Sequence, residues 1–460
     1  MNHQLQTFIF IVMFFLANNL LGQEQDISIQ IGESDKKGLF DGINGVVAQV
    51  DDGFYVLRMK TKGSLLGSQV GNGSDELYLD KYSNDLKFQS TVDIDGIVFS
   101  VAGRSRGAEY EFCLQDDQDN VYVYFSEFRK GVNSLYRIRL DESTGSFVDE
   151  QTIYRDQRAN KRLDRRGSYS LVESVNRNTF AIYSFVNERN ANYTEVYAAV
   201  FKRNMELLWE MNENIEGYAR GESSGWAFQS SYRSLESRNL SISVSNAGVL
   251  NIMRVIYDNK LFAGLTGDYY HIIYTLSGPD NRVDYRLFDF EDSFILQALI
   301  RHDQNDELNL VGYMGDNRRR IDGVVFINMN ASNLETTNTK SIKLTDSQKE
   351  AFLVSSDADS VRKQRGDERT KRRIDKGKNV GISSSNRLIN AYVHQDNSTT
   401  VVSEYFDVIT STNNIDGNMN TTTTFVFGDL KYINIGSDGN IRWVKNIHKN
   451  QRSSLSLIHI

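Results

Sequence analysis

Cysteine and proline each occur once in 460 residues, and these two scarcities bound the architecture from opposite sides. A lone thiol, Cys113, can close no internal disulfide, so a fold of this size must be held by its core. Cys113 lies in the strand-like run from Tyr110 to Leu114, where a buried small hydrophobe is expected rather than a reactive thiol. With Pro279 as the only proline, the turns fall to Asn, Asp and Gly. A net charge of -8 argues against a general nucleic-acid binder. No Gly-rich phosphate loop and no HExxH motif occurs, and no cofactor is expected. Beyond the first 22 residues, no apolar run reaches the length of a transmembrane helix, so no transmembrane segment is expected in the mature chain.

The amino terminus carries the one pronounced apolar stretch, TFIFIVMFFLANNLL at 7–21. It is too short, and too interrupted by Asn18 and Asn19, for a stable span, and it reads as the core of a secretory signal peptide ending at Gly22. The n-region offers His3 but no Lys or Arg, and no cysteine near the cut offers a site for lipid. Residues 1–22 are therefore expected to be a signal peptide and 23–460 a single exported domain, in a periplasmic, cell-surface or extracellular location.

The chain is organised around DLKYINIGSDGNIRWVKNI, 429–447, in which alternating β-branched and aromatic residues flank a Ser437-Asp438-Gly439-Asn440 turn. That is the pattern of a half-buried hairpin. Looser copies recur in pairs: 45–59 with 77–94, 110–125 with 135–154, 170–186 with 195–215, 240–256 with 270–290, 294–314 with 324–344, and 388–406 with 429–447. Four short strands per unit predict an all-β fold, a β-propeller of about six recognisable four-stranded blades. The physical reason is that such a sheet has two apolar faces and covers both only against neighbours. A two-sheet sandwich is the alternative. Trp209 and Trp443 stand at the same offset from turn residues Asn204 and Asp438, which predicts packing between blades rather than a ligand platform. Trp226, in a Gly/Ser-rich connection, is the better candidate for ligand contact.

One segment breaks the rhythm. Residues 346–380 switch to a helical pattern, with a Ser347-x-x-Glu350 capping box and an apolar stripe of Ala351, Val354, Ala358 and Val361. A basic block follows, including Arg362, Lys363, Arg365, Arg369, Lys371, Arg372 and Arg373, and it is the candidate contact for an anionic partner, set against a solvated loop. A second basic cluster runs from Arg155 to Arg166. His302 and His394 near the turns of units five and six read as surface turn residues, not ligands. Asp116, Asp117, Asp119 and Asn120 cluster in one turn without the ligand order of an EF-hand loop, so no metal site is expected. Acidic residues are plentiful but occupy turn positions, and no paired carboxylates of glycosidase type are legible.

The Gly-Gln at the signal cut, the aromatic strands and above all FGDLKYINIGSDGNIRWVKNIHKNQ (427–451), preceded by the Lys/Arg-rich insert, resemble a group of uncharacterised secreted proteins of Bacteroidetes. The resemblance implies export and a propeller, and no activity. In that group another blade follows the Lys-x-Gln, whereas this sequence ends at Ile460. The expectation is a truncated ring, with pairing of ISIQI (27–31) and LSLIHI (455–460) as the alternative route to closure. The functional expectation is a non-enzymatic binding or scaffold propeller for a protein or glycan. A secreted carbohydrate-active enzyme with its site in the channel is the competing reading.

Overall fold

The computed structural model describes residues 41–60, 76–94, 108–129, 132–156, 169–187, 193–216, 240–257, 269–278, 282–288, 294–315, 320–350, 368, 371–372, 382–383, 386–415, 418–447 and 451–459. Six antiparallel four-stranded sheets follow one another along the chain as the blades of a ring. The first holds β1 (Asp41–Val50), β2 (Gly53–Lys60), β3 (Glu76–Ser83) and β4 (Phe88–Asp93). The second holds β5 (Ala108–Gln115), β6 (Val121–Arg129), β7 (Val132–Asp141) and β8 (Ser146–Asp156). The third holds β9 (Tyr169–Glu173), β10 (Thr179–Asn187), β11 (Tyr193–Lys202) and β12 (Leu207–Glu216). The fourth holds β13 (Leu240–Val244), β14 (Leu250–Tyr257), β15 (Tyr269–Ser277) and β16 (Arg282–Phe288). In the fifth, β17 (Phe294–His302) and β18 (Glu307–Gly315) are followed by a two-residue β19 (Arg320–Ile321), then β20 (Gly323–Asn330) and β21 (Thr336–Lys343). A short helix α1 (Asp346–Glu350) and β22 (Ile382–Ser383) lead to the sixth blade: β23 (Asn386–Val393), β24 (Thr399–Ile415), β25 (Asn418–Ile435) and β26 (Ile441–Ile447), with β27 (Gln451–His459) added on β25.

Period-two alternation explains why the sheets stack. Along β11, Val196, Ala198 and Val200 enter the core shared with the fourth blade, while Tyr197, Ala199 and Phe201 enter the core shared with the second. Along β18, Leu308 and Leu310 face the fourth blade and Val311 and Tyr313 the sixth. Both faces of a strand are thus apolar, and each blade is covered only by its neighbours. Five seams are filled this way, between the first and second blades through to the fifth and sixth.

The same five seams also carry side-chain to backbone hydrogen bonds. Most of them reach the edge of an innermost strand on which, among the described residues, no further strand is paired. Gln115 exchanges two bonds with the backbone of Gln49, Glu111 Oε2 accepts from Tyr169 N at 3.1 Å, and Thr179 Oγ1 donates to Ser245 O at 2.7 Å. Ser241 and Ser243, two residues apart, accept from Ile300 N and His302 N, each at 3.0 Å. Gln297 completes the series against the sixth blade.

The sixth seam differs. Among the described residues no buried apolar cluster joins the sixth blade to the first. The face of the first blade turned from the second carries Val46 and the aromatic row Phe54, Tyr82 and Phe88, with Phe88 53% exposed. The face of the sixth turned from the fifth carries Tyr392, Trp443 and Ile447, all large exposed hydrophobics. The expected alternative closure by LSLIHI does not occur in this form, because β27 pairs with Met419–Phe427 of β25; residues 27–31 lie outside the described residues.

The insertion is also corrected in detail. The helix is capped two residues earlier than expected: Gln348 N donates to Thr345 Oγ1 at 3.3 Å and Thr345 N to Gln348 Oε1 at 2.9 Å, a reciprocal box one hydroxyl upstream of Ser347. Thr345 wins because Leu344, 3% exposed, anchors the strand end directly before it. The stripe Ala351, Val354, Ala358 and Val361 lies outside the described residues. Where the chain returns, β22 pairs with β19, with Ile382 opposite the fully buried Ile321.

Candidate functional site

Antiparallel connectivity sorts the loops by end. The turns between first and second and between third and fourth strands of every blade fall at one end of the ring, while the longer connections leave from the other. The turn-bearing end is built from Asx turns, in which an Asp or Asn side chain accepts backbone N–H groups two to four residues on. Asp116 Oδ1 accepts from Gln118 N and Asn120 N, both at 2.9 Å, and its Oδ2 accepts from Asn120 Nδ2 and the Tyr122 hydroxyl. Asp116 is therefore engaged in holding the turn, and Asp119 Oδ1 accepts from Gln115 Nε2 at 2.7 Å. Asp396, Asp438, Asn176 and Asn330 act in the same way. Gly439 takes a φ of 80°, as the Asp-Gly signal of the organising hairpin requires.

The turns also interlock between blades. Both carboxylate oxygens of Asp306 accept from the Asn246 and Ala247 N–H groups, at 2.6 and 3.0 Å, and Asn246 Oδ1 accepts in turn from Asn176 N.

Among the described residues, two grooves on this end stand out. One, of about 450 Å³, lies between the first and second blades and is strongly acidic, with Asp51, Asp52, Asp119, Asp141 and Glu142 in its walls. Part of that charge is answered within the protein, since Lys81 bridges Asp52 and Glu142, while the wall residue Arg139 is held by Asp149 outside the groove at 2.6 Å. The Lys81 hydrogen bond holds the exposed Asp52 carboxyl below its usual value. The other groove, of about 270 Å³, lies between the fifth and sixth blades and is lined by Asp303, Asn305, Glu307, Asn309, Phe326, Asn328, Thr337, Asn338, Asn397 and Ser437. Amides dominate it. Asn328 Nδ2 donates to Asn309 Oδ1 at 2.9 Å and Thr337 Oγ1 donates to Asn328 O at 3.1 Å, a ladder across β18, β20 and β21. Asn397, in the left-handed region at φ 58°, keeps a buried Oδ1 with no hydrogen-bond partner among the described residues.

Asp303 contributes the groove's most perturbed acid. Burial raises its carboxyl, and the charges of Glu307 and Asp306 act in the same direction against the turn N–H groups of Glu307 and Asn305. Those N–H groups donate to its Oδ1 at 3.0 and 2.8 Å, so one oxygen is committed to the turn.

Most of the residues singled out in the sequence cannot be placed against these grooves. Trp226, Arg362, Lys363, Arg365, Arg369 and Arg373 lie outside the described residues; Lys371 and Arg372 are exposed, and Arg372 pairs with Glu368 at 3.7 Å. The strand ends flanking Trp226, Glu216 and Leu240, are at the opposite end from the grooves. Trp209 packs between blades as expected, its Nε1 donating to Gly248 O at 2.9 Å and its ring lying on Gly278. Trp443 does not: it is 39% exposed, with Lys445 over its ring, because its seam is the one without a shared core. His394 is an exposed turn residue, but His302, the last residue of β17, is fully buried, because Ser243 of the fourth blade covers it across the seam, with its Oγ 2.8 Å from His302 Nδ1. The groove residues had a legible trace in the sequence, since Asn309 and Asn328 interrupt otherwise apolar strands.

No family model and no curated protein matches the chain. Among solved structures, it is similar to a protein of unknown function from Dyadobacter fermentans at 8% identity and a TM-score of 0.31, covering 76% of this chain and 96% of that one. It is also similar to an ulvan lyase, described as a new family of polysaccharide lyase, at 8% identity and a TM-score of 0.32, covering 92% and 72%. A prolyl endopeptidase matches at 10% identity and a TM-score of 0.36, covering 88% of this chain and 48% of that one. Likenesses this distant carry no functional argument.

Proposed function

We propose that this chain is an exported, non-enzymatic binding propeller that takes a glycan in the groove between its fifth and sixth blades. The observation that carries the reading is the lining of that groove, with its amides, hydroxyls and two carboxylates around a cavity of about 270 Å³. Sugar hydroxyls both donate and accept, as amide side chains do, so such a wall matches a polyhydroxylated ligand group by group. The core of a protein interface is instead rich in aromatics and poor in Asp, Glu and Ser. Here the single aromatic, Phe326, is only 2% exposed. Export rests on the signal-like residues 1–22.

The enzyme reading has one observation in its favour, the raised Asp303 carboxyl beside Glu307. A glycan array followed by calorimetry on the best ligand tests the proposal. Asn338→Ala and Asn397→Gly each remove a groove side chain, and glycine suits the positive φ of Asn397, so the fold is kept while affinity falls about tenfold or more. Turnover of a chromogenic glycoside that is lost in Asp303→Asn would give the groove to the enzyme reading.

A further inference from the structure

The sixth blade is built differently from the rest. The second strands of the other blades run eight or nine residues, but β24 runs 17 and β25 runs 18. Their pairing continues from Thr399–Ile435 to Ile415–Asn418, with one register shift between Glu404 and Phe406. β23 reaches only as far as Tyr405, so β24 leaves the blade at Phe406 and projects about 33 Å beyond it as half of a ribbon. β27 joins the ribbon on the far side of β25, from Phe427–Gln451 to Met419–His459. The result is a three-stranded arm ordered β24–β25–β27. Among the described residues no strand pairs with the outer half of β24, so ten residues, 406–415, present a backbone edge.

Monomeric proteins blunt such an edge with Lys, Pro, a bulge or a short strand. This edge has none of these beyond its base. VITSTNNI, 408–415, is uncharged, contains no proline and is rich in the β-branched residues that favour strands. Across 408–427, Asp416 is the one charge in a chain whose net charge is -8. Two copies of an acidic protein repel over most of their surface, and this arm is where they can approach without setting like charges opposite each other. An antiparallel edge also meets its own copy about a two-fold axis, the self-complementary arrangement that closes an assembly at two subunits.

We propose that the chain forms a homodimer through this arm, with the outer half of β24 pairing antiparallel with the same strand of a second copy to give one continuous six-stranded sheet.

The full chain provides its own test, because its single cysteine, Cys113, is buried and leaves introduced thiols without background. Light scattering on the purified chain is expected to give twice the monomer mass. Replacing Thr412 by Pro removes an edge N–H, since β24 residues alternate between β25 and the open side, and should shift the species to monomer at concentrations where the parent is dimeric. Because a proline can also disturb the arm itself, single cysteines are placed in turn at 409–414 in the otherwise unchanged chain. In an antiparallel pair, opposed Cα atoms lie about 4.5 to 5.5 Å apart, within disulfide reach only near the two-fold axis. Oxidation should therefore cross-link one position, or two adjacent ones, at least fivefold more than those at the ends of the scan. A monomer at 100 µM in light scattering overturns the proposal and leaves the edge to a strand from a different partner. A dimer that cross-links uniformly, or not at all, through the arm overturns it equally.

Discussion

Gln297 holds the inner strand of the sixth blade with both ends of its amide: Oε1 accepts from Leu388 N at 2.7 Å and Nε2 donates to Asn386 O at 3.0 Å. It reaches across a seam between residues 91 apart in sequence, and it is 2% exposed. The side chain thus acts as a substitute strand along an edge on which, among the described residues, no further strand is paired.

Gln297→Ala strands a buried donor and a buried acceptor at once, so a loss on the order of 3 kcal/mol is expected. Urea midpoints read it. Gln297→Glu keeps the acceptor for Leu388 N and loses the donor to Asn386 O, and it should also add the cost of burying a charge. The alanine variant is therefore expected to be the more stable of the two at neutral pH, with the order reversing in acid as the carboxyl takes a proton.

Gly278 touches the Trp209 ring so closely that a Cβ there would overlap it. Gly278→Ala should cost about 1 to 3 kcal/mol through overpacking and red-shift the tryptophan emission as the indole is displaced toward water. Combining it with Trp209→Leu should recover part of the loss, since the clash disappears with the ring. A double-mutant cycle measures this, and additive effects would show that the two residues act independently.

His302 and His271 are buried neutral. Burial lowers the first to about 3, helped by the charge of Arg301, and the second to about 4, against an ordinary value of 6.5. Both folded-state values are depressed, so below pH 6.5 the unfolded chain takes up protons that the folded chain refuses. The stability they lend is present above pH 6.5 and is lost as pH falls toward 4 and then 3, at up to about 1.4 kcal/mol per pH unit for each histidine. Denaturation between pH 7 and 4.5 should show that slope, and it should halve in His302→Asn.

The blade boundaries were legible because their cause is local. A strand buried on both faces needs alternating apolar residues, and a chain with one proline must turn on Asn, Asp and Gly, so both signals are written in short windows such as 429–447. What escaped notice depends on partners far away in sequence. Nothing in the neighbourhood of Trp209 and Trp443 separates them, yet one meets a neighbouring blade and the other does not. His302 looked like a turn residue until Ser243, 59 positions away, covered it. The β24–β25 arm leaves a weak trace in the sequence because VITSTNNI and NMNTTTTF carry runs of Thr, Ser and Asn where the other strands alternate large apolar residues. The groove asparagines belong to the same class. A polar residue inside an apolar strand marks a site only once the sheet that faces it is known.

The inequality among the six seams gives the molecule two descriptions at once. By shape it is a ring. By coupling, among the described residues, it is a row of five joined interfaces with a first and a last member, nearer to a solenoid bent round until its ends face each other. In a closed ring every blade has two equal neighbours and none can leave early. In a row the terminal members fray first, so unfolding is expected to run from the first and sixth blades inward toward the third and fourth, an order set by connectivity and not by blade composition.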